Sequence, residues 1–255
     1  GKHGEWYGVM FQDRGGVGRV LTIEPCSWID GWPMLGTRGD GLIPETVLLD
    51  GHCECHQNPA SAIIEKDYQW NHNFIREDVT TETGSMTKHG AYARNTFTWR
   101  TWGPTCSDTI CLDTKKMKDG DCAGLSAFNA DAGVLTVKKE GNSYTLVMSE
   151  ESVKLDDHTK AITSHEVKEM ECVNILKSQT ASIYLRMDAD FRPGCDTANF
   201  YYSLDGKTFL PIGTRDYKMR FDFTRFFMGT RYAAFYFSTK KVGGQVTFSL
   251  TGKRP

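Results

Sequence analysis

Apolar and polar positions alternate with a period of two along most of this chain. Near the start, Tyr7, Val9 and Phe11 alternate with smaller or polar residues. Asp13-Arg14-Gly15-Gly16 is turn chemistry, and Val20, Leu21 and Ile23 make a return strand. A lone hairpin buries too little apolar surface to be stable. This one is therefore expected to belong to a larger sheet or to lean on the domain that follows. From residue 92 onward strands are predicted at 92–101, 105–113, 122–129, 132–138, 143–149, 168–176, 182–191, 197–203, 208–212, 216–223, 231–238 and 244–250. Gly103-Pro104, Asp119-Gly120-Asp121, Gly141-Asn142, Asp205-Gly206 and Gly243-Gly244 supply the turns between them. Residues 150–168 are charged without a clear period and read as a solvated excursion. Residues 74–90 show no apolar strand. Many short strands with tight turns predict an all-β sandwich or barrel.

Composition sharpens this picture. Gly, Thr, Ser and aromatics are abundant and long helical periods are missing, which favours β structure. Among 255 residues, 30 Lys and Arg balance 32 Asp and Glu, for a net charge of −2. No basic stripe is present to neutralise phosphates, so no nucleic-acid partner is expected. No apolar run approaches the length of a membrane span, so no membrane partner is expected. The chain starts without Met or a leader-like segment and reads as a processed or excised piece. Eight cysteines suit an oxidising compartment, and secretion is favoured over the cytoplasm, but disulfides and buried thiols both stay open.

Several residues could carry chemistry. His52-Cys53-Glu54-Cys55-His56 has metal-ligand composition, but alternation along a strand would send the cysteines to the opposite face from the histidines and Glu54. Structural zinc sites space paired ligands more widely. No metal and no cofactor are expected from it; calcium is not argued by the sequence. Tyr68-Gln69-Trp70-Asn71-His72-Asn73 packs aromatics beside amide and imidazole groups. That mixture stacks on sugar rings and hydrogen-bonds hydroxyls, or it forms a polar knot between domains. Trp28 and Trp32 are expected to plug an apolar seam between two domains. Trp99, Trp102, Tyr201, Tyr202, Tyr232 and Tyr236 could be stacking platforms, though each type is more often core. Trp99 and Phe97 should share a face, and Tyr201 and Tyr202 should not. Asp13, Glu24, Asp188 and Asp190 read as solvated or hairpin-bonded carboxylates.

The runs EWYGVMFQDRGGVGRV and WIDGWPMLG resemble the end of the catalytic domain of glycoside hydrolase family 43. The closer resemblance is to its β-xylosidase and α-L-arabinofuranosidase branch, in which a five-bladed propeller precedes a β-sandwich. YQWNHN, ARNTFTWRTWGPTCS, MKDGDCAGLSAF, NFYYSLDGKTFLPIG and FFMGTRYAAFYFSTKKVGGQVTF resemble that sandwich, which is also classed as carbohydrate-binding module family 91. The family usually has Gln-Asp-His-Gly where this chain has Gln12-Asp13-Arg14-Gly15. The resemblance implies a lectin-like, concanavalin-type antiparallel β-sandwich over 62–255. Before it come a remnant of the last β-propeller blade at 1–33 and a linker at 34–61. It implies that the family's catalytic carboxylates lie upstream, so that no catalytic residue is expected here. It also implies that Arg19 contacts the sugar, that Phe227 walls the pocket, and that Trp70, Asn71, His72 and Asn73 lie beside the interface. The expected ligand is xylan or a xylo-oligosaccharide, bound without hydrolysis. The alternatives are the C-terminal portion of an inverting glycosidase, active only with its propeller domain or chain, and a purely structural sandwich. The exposed half-blade could also pair two copies as a homodimer.

Overall fold

The computed structural model describes residues 3–36, 68–70, 78–82, 95–176 and 182–251. Within these, the chain is built from strands. β1 (Trp6–Asp13), β2 (Arg19–Ile29) and β3 (Trp32–Leu35) form a small antiparallel sheet of their own. A short 3-10 turn, Gly15–Val17, joins β1 to β2. Thirteen strands follow: β4 (Tyr68–Trp70), β5 (Asp78–Glu82), β6 (Asn95–Arg100), β7 (Thr105–Asp113), β8 (Asp121–Phe128), β9 (Asp131–Glu140), β10 (Ser143–Leu155), β11 (Ile162–Leu176), β12 (Ser182–Asp190), β13 (Thr197–Ser203), β14 (Leu210–Lys218), β15 (Arg231–Ser238) and β16 (Gln245–Leu250). They make a seven-stranded sheet, β11-β10-β9-β8-β15-β6-β4, and a six-stranded sheet, β14-β13-β12-β7-β16-β5.

The core lies between these two sheets. Alternation puts Phe97, Trp99, Leu125, Leu135, Leu146 and Tyr232 of one sheet against Ile110, Leu112, Ile183, Leu185, Met187 and Phe248 of the other. Burying each large side chain contributes about 1.5–3 kcal/mol. Trp99 stacks on Tyr232 with centroids 5.4 Å apart and lies 5.2 Å from Phe97, as their shared face requires. Its indole Nε1 donates to Asp108 Oδ2 at 2.7 Å, so a hydrogen bond crosses the core from β6 to β7.

Three features differ from the sequence-based expectation. Residues 150–168 are no loose excursion. β10 and β11 run on as a long hairpin, whose polar side chains meet across the strands: Glu151 with the His165 ring at 2.9 Å and Lys154 with Glu166 at 3.7 Å. Its turn is held by Asp156 Oδ1, which accepts from the backbone N–H groups of His158 and Thr159. The segments predicted at 208–212 and 216–223 are one strand, β14, ending at Lys218 and interrupted by a bulge where Gly213 and Asp216 take positive φ. Within residues 74–90, a polar strand, β5, pairs with β16 at the sheet edge. Edge pairing is made by backbone groups and needs no apolar alternation.

Among the described residues, Cys26, Cys106, Cys111, Cys122, Cys172 and Cys195 are free thiols. Burial pushes the Cys122 thiol up to about 12.

Candidate functional site

The three-stranded sheet meets the sandwich through glycines. Gly16 N donates to Asp196 Oδ1 at 2.9 Å, and Gly16 O accepts from Thr230 N at 2.9 Å. A Cβ on Gly18 would lie 2.7 Å from Gly229 Cα, and one on Gly229 would lie 2.0 Å from Val17 O. Gly18 also holds φ at 84°, which favours glycine. The glycine run thus sets a backbone-to-backbone seam, and Arg19 follows directly after it.

An open cleft of about 720 Å³ lies along this seam. Its lining includes Arg19, Trp102, Phe221, Phe227, Arg100 and Arg231. Arg19 Nε donates to Asp13 Oδ1 at 2.9 Å, which fixes the guanidinium. That guanidinium lies 4.3 Å from the ring centroid of Phe227 and 4.6 Å from that of Phe11. Both are cation–π distances. Arg19 and Phe227, singled out from opposite ends of the sequence, therefore meet. Phe227 is still 68% exposed, so its ring remains open to a ligand.

The loop carrying Phe227 is pinned from beneath. Arg225 makes a fork to Asp131, with Nη1 to Oδ1 at 2.8 Å and Nη2 to Oδ2 at 2.7 Å, and its Nε reaches Asp222 Oδ2 at 2.7 Å. Asn129 Nδ2 donates to Arg220 O at 3.3 Å and Met228 O at 3.1 Å, spanning the loop. The Arg225 hydrogen bond holds the Asp131 carboxyl below its usual range. Thr224 and then Arg225 hold Asp222 at about 2. The sequence reading missed these positioning residues. Asp131 and Arg225 lie 94 residues apart, and no local pattern links them.

The other candidates divide. Trp102 is half-buried and lines the cleft. Trp99, Tyr232 and Tyr236 are core residues, with the Tyr236 hydroxyl donating to Asp121 Oδ2 at 2.8 Å. Tyr201 and Tyr202 are half-buried on β13, away from the cleft lining. Trp28 and Trp32 do not plug a seam with the sandwich. They are 50% and 73% exposed, and Trp28 meets Trp6 edge to face. Trp70 lies on β4, paired in register with Phe97, whereas Asn71, His72 and Asn73 lie outside the described residues. The segment His52-Cys53-Glu54-Cys55-His56 also lies outside them. Arg14, at the position where the family usually has histidine, donates to Gln12 Oε1 at 3.2 Å. Asp188 is forked by Arg186 and Asp190 is paired with Arg192, each two residues away along the chain, so both carboxylates are held by local arginines. Glu24 is buried on β2. Among the described residues the cleft lining contains no Asp or Glu. A hydrolytic site would need two carboxyl groups facing each other across a bond.

Two antiparallel sheets packed face to face, each from a chain of short strands, define a concanavalin-type sandwich of the lectin-like class. The sequence pattern described as Beta xylosidase C-terminal Concanavalin A-like domain matches residues 61–251. The chain belongs to that family, the C-terminal domain of glycoside hydrolase family 43 enzymes. Its fold is similar to a family 43 glycoside hydrolase engineered to display both endo-xylanase and exo-arabinofuranosidase activity, at TM-score 0.82 and 29% identity. It is also similar to a bifunctional GH43-CE protein of Bacteroides eggerthii, at TM-score 0.77 and 30% identity. Each match covers 99% of this chain but only 52% and 33% of the respective structures. The BlXynB protein of Bacillus licheniformis shares the fold, with TM-score 0.63 and 15% identity over 99% of this chain and 52% of that one. No curated protein matches this chain.

Proposed function

We propose that this chain is the carbohydrate-binding part of a xylan-degrading enzyme and takes xylan or xylo-oligosaccharides into the cleft between the small sheet and the sandwich. The observation that carries this reading is the convergence of Arg19 and Phe227, 4.3 Å apart, in an open cleft with Trp102. Aromatic faces stack on the CH faces of pyranose rings, and a planar guanidinium fork matches vicinal hydroxyls. Binding proceeds without hydrolysis, since among the described residues the cleft offers arginines and aromatic walls but no acid–base pair. Pull-down on insoluble xylan, with cellulose as control, tests binding. Release of nitrophenol from nitrophenyl xyloside and arabinofuranoside tests hydrolysis. Retention on xylan without release is the expected result. Release would overturn the non-catalytic part of the reading, and failure to bind any glycan would favour a purely structural sandwich.

A second reading has its own support. One face of the small sheet exposes Val9, Phe11, Leu21 and Ile23, and the sheet also exposes Trp6 on β1 and Trp32 on β3. The structural relatives are about twice as long or longer. On this reading β1–β3 complete a blade of a catalytic propeller, and the cleft closes one side of an inverting β-xylosidase or α-L-arabinofuranosidase pocket. Restored pentose release on mixing with a propeller domain is the result that supports it.

A further inference from the structure

The cleft holds two further arginines. Arg231 on β15 and Arg100 on β6 are directly paired in register, so two guanidinium side chains leave the same face of the sheet side by side. Like charges directly opposite are destabilising in a sheet. Burial, and then the nearby Arg100, lower the pKa of Arg231. Arg231 Nε donates to Thr98 Oγ1 at 3.1 Å. Arg100 is exposed, and no carboxylate among the described residues pairs with it. Both line the same cleft as Arg19, whose own charge is engaged by Asp13. This concentration of positive charge is local, because the whole chain carries −2. The same cleft is also lined by Trp102, Phe221 and Phe227, which offer ring faces.

We infer that the cleft selects an acidic xylan: its Arg19–Phe227 end takes neutral xylosyl units, and Arg100 with Arg231 takes the carboxylate of a uronosyl side group. The inference rests on the reading of the cleft as a glycan site. A uronic acid matches both chemistries of the cleft, with a pyranose CH face for an aromatic and a planar carboxylate for a guanidinium fork.

The test is affinity electrophoresis of this chain in three gels: glucuronoxylan, the same polymer with its carboxyl groups reduced to alcohols, and polygalacturonate. Native glucuronoxylan should bind about tenfold more tightly than the reduced polymer, the gain of one charge-assisted fork. That ratio should fall as salt rises from about 0.05 to about 0.5 M. Arg100→Gln, at an exposed strand end, should bring the ratio close to one. Polygalacturonate, which lacks the xylan backbone, should bind more weakly than glucuronoxylan. Equal binding of native and reduced polymer overturns the inference while leaving the glycan site standing. A ratio unchanged in Arg100→Gln overturns the assignment to this pair. Polygalacturonate binding as tightly as glucuronoxylan means unspecific charge attraction and also overturns it. Binding to neither xylan sinks the glycan reading itself, and this inference with it. Should the variant not fold, the reduced polymer and the salt series on the unaltered chain still decide.

Discussion

Phe227 is both exposed and held, and that combination makes it separable from stability. Its ring meets Arg19 at the cleft rather than core side chains. Phe227→Ala is expected to change unfolding free energy by no more than about 0.5 kcal/mol in a urea titration. It should weaken xylo-oligosaccharide binding by the worth of one aromatic contact, about 0.5–1.5 kcal/mol, read by calorimetry. Trp99 is the opposite case. Trp99→Phe keeps most of the apolar volume but removes the Nε1 donor to buried Asp108. The loss should be about 1–3 kcal/mol in the same titration, with glycan binding unchanged. At this scale residue type and resemblance together singled out Arg19 and Phe227, and the fold brings these two side chains into contact. It was silent on Arg225, Asn129 and Asp196, because their partners are fixed only by the closed fold. Trp99, Tyr232 and Tyr236 show the ambiguity of aromatics on strands. Alternation says which residues share a face, as with Phe97 and Trp99, but not which face is inside.

Elements set the geometry of the cleft. Gly18 and Gly229 allow the turn after β1 to lie against the loop before β15. Gly229→Ala forces a Cβ into Val17 O and should cost about 1–3 kcal/mol. The sign of a seam effect is faster proteolysis or amide exchange within Trp6–Asp13 while the β12–β13 pair stays protected. The Arg225 cluster gives a pH dependence. Asp131 and Asp222 have folded pKa values below their unfolded value of about 3.9. Their stabilisation is therefore complete above that unfolded value and is lost as pH falls through the folded values, near 2 for Asp222. A melting series from pH 5 downward should show a steep fall in Tm below about pH 4. Arg225→Met should lower stability at neutral pH by about 1–2 kcal/mol, the partial exposure of the pairs limiting the effect. It should also flatten the acid limb; an unchanged acid limb would remove Arg225 from the account. Strand positions from 105 onward were largely legible, since Thr105–Asp113 matches its predicted bounds. The outer part of the β10–β11 hairpin was not, because its polar cross-strand partners lack the apolar alternation that marks a strand.

At the scale of the whole molecule, two bodies of β-structure share one seam. The sandwich carries a continuous core and the small sheet carries exposed apolar residues, including Trp32 and Leu21. Alternation and turn chemistry were enough for the all-β class. The concanavalin-type arrangement came from resemblance, and the family match agrees with it. The cleft was not legible as a shape, because its walls come from the chain near residue 19, near residue 100 and near residue 227. The measurement that tests the account most directly is calorimetric titration of the chain with xylohexaose and cellohexaose, alongside Phe227→Ala, with analysis of the sugars afterwards. Binding is expected to prefer xylohexaose, to weaken in Phe227→Ala and to leave the sugar intact. Equal affinity in Phe227→Ala, or xylose released by the chain alone, would contradict it.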